Sequence, residues 1–126
     1  MARTNIPVVS STTNAGVQET AGTAIDQANG MKVSAKRFNK LQLVILYTTA
    51  PASNTILRAG ANPPGLEAGQ GDLTVTGATG AGNRMFIGPF VGGRFAQANG
   101  DLNVDFASTT AGTIWAYELA RPNNTD

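Results

Sequence analysis

Apolar residues along this chain recur with a period of two rather than three to four, and turn residues interrupt them at short intervals. Leu41–Thr49 is the central strand of that pattern. Its run Leu43-Val44-Ile45-Leu46-Tyr47 is apolar on both faces, and Pro51 closes it. Upstream, Thr23–Asp26 and Met31–Ala35 flank Asn29-Gly30 as shorter candidates. Downstream come Thr55–Ala59, a long loop over Gly60–Gly71 containing Pro63-Pro64, and Asp72–Thr76 with Leu73 and Val75 on one face. Gly77–Gly82 reads as a hairpin tip. Arg84–Pro89, Arg94–Gln97, Asp101–Phe106 and Thr113–Leu119 complete the series. Leu102, Val104 and Phe106 are expected to point inward, as are Trp115, Tyr117 and Leu119. Eight or nine short strands predict an all-β fold, an antiparallel β-sandwich or jelly roll.

Asn-Gly pairs favour two-residue type I′ hairpin turns. With Asn99-Gly100 as such a turn, Phe95 falls opposite Val104, Gln97 opposite Leu102, and Arg94 opposite Asp105. That register puts an apolar pair inside and an opposite-charge pair outside. The same test on Asn29-Gly30 mixes polar and apolar residues on both faces. The shared Gln-Ala-Asn-Gly at 27–30 and 97–100 is therefore no internal repeat.

Residues 1–20 differ in composition: Ser10-Ser11-Thr12-Thr13-Asn14 is polar and has no period. They predict an extended N-terminal arm, ordered where it finds a partner, with Ile6-Pro7-Val8-Val9 able to add as a strand to a neighbour's sheet edge. Residues 21–120 form the sandwich domain and 121–126 a polar tail. Deleting the arm is expected to leave the domain folded.

Composition narrows the function. A chain of 126 residues forms one domain and buries a core. Charged residues make up 13%, against a usual ~25%, and Gly, Ala, Thr and Asn take their place. The net charge of +1 gives no field for capturing nucleic acid or anionic lipid. No apolar run is long enough to be a leader or a membrane span. Positive charge is nevertheless concentrated: no acid occurs between Asp26 and Glu67, while Lys32, Lys36, Arg37, Lys40 and Arg58 do.

The chain contains neither His nor Cys. That removes the side chain that titrates near neutral pH and the strongest neutral-pH nucleophile. The remaining candidate sites read as structure. Gly77-Ala78-Thr79-Gly80-Ala81-Gly82 lacks the Gly-Lys-Ser/Thr ending of a phosphate loop, and a strand follows it. Asp101, Asn103 and Asp105 start like a calcium loop, but Phe106 stands where the turn Gly belongs. As a glycosidase pair Asp101 and Asp105 would lie roughly 13–14 Å apart along a strand, beyond the ~5–9.5 Å such pairs need. Ser34 and Ser53 have no base nearby in sequence. A non-enzymatic role is expected, without cofactor, metal or small-molecule substrate.

Several strings in the second half are similar to a known group. These are Leu41–Tyr47, Ala59-Gly60-Ala61-Asn62-Pro63-Pro64-Gly65-Leu66, Gly69-Gln70-Gly71-Asp72-Leu73-Thr74-Val75, Gly88-Pro89-Phe90, Arg94-Phe95-Ala96-Gln97, Asn99–Phe106 and Thr109–Ala116. Together they resemble the small head proteins of tailed bacteriophages, the auxiliary or decoration ("cement") proteins on the outside of a capsid. The matching segments, spread over Leu41–Leu119, are turn and strand signatures, so no functional residue is carried over from them. The resemblance implies a β-sandwich made in the host cytoplasm and held in many copies on the outer capsid surface. It also implies binding to the major capsid protein and a homo-oligomer, often a trimer. Arg3, Ile6 and Val8 of the arm, with Lys32, Lys36, Arg37 and Lys40, are then the expected contacts with the shell or a neighbouring subunit. A phage tail or fibre domain, or a cell-surface carbohydrate-binding module, is the alternative. It would require exposed aromatics, for which Trp115 and Tyr47 are candidates.

Overall fold

The computed structural model describes residues 2–11, 15–34, 38–48, 54–61, 70–76, 84–90, 92–107 and 110–119. Two mixed sheets pack face to face as an all-β sandwich. Sheet A contains β1 (Thr4–Asn5), β4 (Met31–Ser34), β9 (Asp101–Phe106), β6 (Asn54–Leu57) and β7 (Leu73–Thr76), side by side in that order. Sheet B contains β2 (Val8–Ser10), β10 (Gly112–Glu118), β5 (Leu41–Tyr47) and β8 (Arg84–Ile87) in that order, and β3 (Thr23–Ala24) also pairs with β10.

The core follows from alternation. Met31 and Val33, Leu57, and Leu102, Val104 and Phe106 point from sheet A onto Leu41, Leu43, Ile45, Tyr47, Ile87, Ile114 and Ala116 of sheet B. One polar pair is buried between the sheets: the Tyr47 hydroxyl and Thr55 Oγ1 lie 2.9 Å apart. Each satisfies the other, so the core holds a bridging hydrogen bond in place of two orphaned hydroxyls. Burial raises the Tyr47 pKa, against the opposing effect of that bond.

The N-terminal arm is the first correction. Residues 2–11 belong to this chain's own sandwich. β1 runs parallel to β4 and β2 runs parallel to β10, which makes both sheets mixed where an antiparallel fold was expected. Ile6, between them, is 1% exposed and part of the core. Backbone bonds Thr4 N to Gly30 O, Ile6 N to Lys32 O and Ser11 N to Glu118 O hold the segment on both sheets. The polar composition of residues 10–14 hid one buried anchor and two short edge strands.

Both Asn-Gly turns also differ from expectation. Asn29-Gly30 joins no hairpin: β3 enters sheet B and β4 enters sheet A, so the chain changes sheets there. The failed face test reflects that crossover. Asp26 organises it, accepting from Asn29 N and Nδ2 and from Thr4 Oγ1. Those bonds, Thr4's first, hold its pKa below the ordinary carboxylate range.

At Asn99-Gly100 the loop has three residues, not two. Gly100 N bonds Gln97 O and Gln97 N bonds Asp101 O, with Gly100 at φ 90°. The loop closes on a left-handed residue, a conformation Gly adopts without a Cβ penalty. One extra loop residue moves the pairing by one, so Ala96, not Gln97, stands opposite Leu102. Arg94–Gln97 is not a strand; Gly92–Phe95 forms one helical turn that buries Phe95 edge-on against Phe90. Arg94 therefore does not meet Asp105. The expected tip at 77–82, Pro51 and most of the 60–71 loop lie outside the described residues.

Candidate interaction surface

The two outer faces of the sandwich differ in chemistry. On sheet A the outward residues are polar apart from Ile56, and a chain of charges crosses the sheet. Asp105 on β9 accepts from Arg3 Nη1 at 2.6 Å and Nη2 at 3.2 Å, and from Arg58 Nε at 2.5 Å. Arg58 Nη1 continues to Asp72 at 2.8 Å, and Asp72 also accepts from Ala59 N at 2.6 Å. Burial of Asp105 is the largest single influence and opposes ionisation. The Arg3 and Arg58 hydrogen bonds and charges together outweigh it, so the pKa lies below the ordinary value. Asp72 is lowered by its bonds to Ala59 N and Arg58. Asp101 accepts from Ser34 Oγ at 2.7 Å. The carboxylates weighed as calcium or glycosidase groups thus bind this chain's own side chains.

Sheet B is largely apolar outside as well as inside, with Gln42, Arg84 and Thr113 as its outward polar residues. Strand alternation turns Val44 and Leu46 of β5, Phe86 of β8, and Trp115 and Tyr117 of β10 away from the core. The register places Phe86 beside Val44 and Val44 beside Trp115, one row across three strands. Tyr117 stands between Gln42 and Val9 in the next row. The expectation that Trp115, Tyr117 and Leu119 fill the core is therefore corrected: their face looks outward.

Part of that face is covered by the segment that follows the arm. Trp115 is 6% exposed, although it lies outside the core, because Thr20–Gly22 runs over it. Its Nε1 donates to Thr20 O at 2.8 Å, and the Arg84 guanidinium sits 5.0 Å from the ring centroid. Arg84 is itself held by Glu19 at 3.8 Å. Gly22 is required at that crossing: a Cβ there would stand 2.6 Å from the indole, and the backbone has φ 82°. Tyr117 has its pKa raised, first by burial and then by Glu19.

Val44 is buried as well, at 4% exposed, and the face opens at its two edges. Phe86 is 63% exposed, Leu119 52% and Val17 46%, the large apolar side chains that stand exposed among the described residues. Val17 and Leu119 line a groove of about 190 Å³ with Val9, Ser11, Ala15, Tyr117 and Glu118. An exposed Phe at one edge of the sheet and a groove with exposed Val17 and Leu119 at the other provide desolvation area and shape for a partner.

The sequence-predicted contact residues do not converge. Arg3 is tied to Asp105 and to Met31 O, Ile6 is in the core, and Val8 packs against the core from β2. Lys32 lies half-buried on the outer side of sheet A, opposite Asn103. Lys40 lies beside Leu119, whose N–H donates to its carbonyl, at the end of sheet B. Lys36 and Arg37 lie outside the described residues. The surface residues that sequence reasoning missed are Phe86, Val17 and Leu119. The signal was the run Leu43–Tyr47: a strand apolar on both faces needs cover on both. Neither ring named for carbohydrate stacking is available, Tyr47 being in the core and Trp115 beneath Thr20–Gly22. Comparison of the chain with protein-family models, curated proteins and solved structures gave no match.

Proposed function

We propose that this protein is a structural component of a bacteriophage virion that decorates the outside of the capsid, binding the major capsid protein through the outer face of sheet B. The observation that carries the reading is the set of exposed apolar side chains on that face, Phe86 at one edge and Val17 and Leu119 at the groove, on a nearly neutral sandwich. The resemblance of the segments in Leu41–Leu119 to decoration proteins gives that face its partner. Many copies, each making a modest apolar contact, hold firmly together on one shell. The protein reaches the outer capsid surface after synthesis in the host cytoplasm.

Pelleting with assembled capsids that lack the protein tests the proposal. The wild-type chain is expected to sediment with them, and Phe86→Asp and Leu119→Asp to reduce that binding by about tenfold each, the loss of a buried apolar anchor. Both side chains are exposed, so the variants keep the wild-type fold. Absence of co-sedimentation, or wild-type binding by both variants, would contradict the proposal.

A further inference from the structure

We propose that β7 is a docking edge for a second copy of this chain, the two β7 strands pairing antiparallel about a two-fold axis at Val75. The sandwich is asymmetric side to side. On one side the arm passes from β1 to β2 and plugs Ile6 into the core, closing both sheets. On the other side the sheets end at β7 and β8, each paired along one edge only among the described residues. Core-facing Leu73, Val75 and Met85 are only partly buried there.

The two edges are not equivalent. β8 carries Arg84, which is engaged over Trp115, and Pro89 follows it closely, both protective features of an edge strand. β7 reads Leu73-Thr74-Val75-Thr76, with no charge and no proline. Asp72, just before it, is neutralised by Arg58 and Ala59 N. A β-branched, uncharged edge is the type that takes another strand.

The hydrogen-bond phase identifies the exposed groups. Arg58 N bonds Asn103 O, and Ala107 N bonds Asn54 O, so residues 54, 56 and 58 direct their backbone groups at β9. Residues 55 and 57 therefore bond Val75 and Leu73, and Thr74 and Thr76 direct theirs outward. Centring a two-fold on Val75 sets Thr74 against Thr76 of the other copy, each pair exchanging both backbone bonds. It also sets Val75 against Val75 on the core side and Thr against Thr on the outer side. Every position meets its own kind, with no like charges opposed. That self-complementarity selects a second copy over an unrelated strand. The proposal does not depend on what the dimer binds.

Sedimentation velocity of the full chain at concentrations from about 5 to 500 µM, the range for a small contact, reads the result. The wild-type protein is expected to form a reversible dimer. Thr74→Pro and Thr74→Lys are expected to weaken it at least about tenfold, with thermal unfolding near wild type, because the Thr74 N–H makes no bond to β6. The chain has no cysteine, so single replacements give a clean crosslinking readout. Val75→Cys is expected to form a disulfide-linked dimer under mild oxidation, facing its own copy at about 4.5 Å between Cα atoms. Leu73→Cys, about 13–14 Å from its own copy, is expected to stay unlinked. A monomer at every concentration, a trimer, a dimer indifferent to both Thr74 variants, or equal crosslinking at Leu73 would overturn the proposal.

Discussion

Asp105 shows how single side chains hold this molecule together. Among the described residues it is the one carboxylate that meets two guanidinium groups, and it joins Arg3, ahead of the first strand, to Arg58 just after β6. The sequence offered Arg94 as its partner, because a two-residue turn was assumed; Gly100 in the left-handed region made that turn one residue longer. Since its folded pKa is depressed, the stability Asp105 contributes is present above its unfolded value of about 3.9. It is lost as pH falls through the lowered folded value. Asp72 acts in the same direction. Thermal melts of wild type from pH 6 to 2.5 are expected to fall most steeply below pH 4, and Asp105→Asn to flatten that fall while lowering the melting temperature at pH 6. An Asp105→Asn profile parallel to wild type would assign the acid sensitivity elsewhere.

Among elements, strands with one clear apolar face were legible from sequence: β7 and β9 fall where alternation puts them, and β5 where the long apolar run does. Alternation alone does not say which side of a sheet is the core. The β10 residues Trp115 and Tyr117 were assigned inward for that reason, whereas Ile114 and Ala116 take those positions. The arm was illegible for a different reason: β1 and β2 have two and three residues, too few to show a period, and one Ile supplies the anchor. Its parallel pairings join segments about a hundred residues apart in β2 and β10, which no local pattern encodes. The arm therefore contributes to the fold itself. Ile6→Ala is expected to cost about 2–5 kcal/mol, as for other buried large-to-small changes, and deletion of residues 2–11 more, read by chemical denaturation. Wild-type stability in the deletion variant would restore the arm as a separate appendage.

For the whole molecule, the two outer faces divide the labour. Sheet A carries its charges in mutually satisfied pairs, Arg3–Asp105–Arg58–Asp72, so its outer face holds no unbalanced charge in that chain. Sheet B leaves Phe86 exposed at one edge and a groove with exposed Val17 and Leu119 at the other, while Thr20–Gly22 covers Trp115 between them. A nearly neutral protein with apolar side chains exposed on one face and, among the described residues, an uncharged strand edge left unpaired is suited to attachment by area and repetition. The proposed role as a capsid-reinforcing layer draws on that asymmetry. Salt has little influence on such a contact, since the face carries few charges. The most direct measurement is the disruption temperature of capsids with and without the bound protein, followed by release of their contents at low and high salt. The account predicts a higher disruption temperature with wild-type protein at both salt concentrations, and none of that increase with Phe86→Asp. Capsids that open at the same temperature whether or not the wild-type protein is present would contradict it.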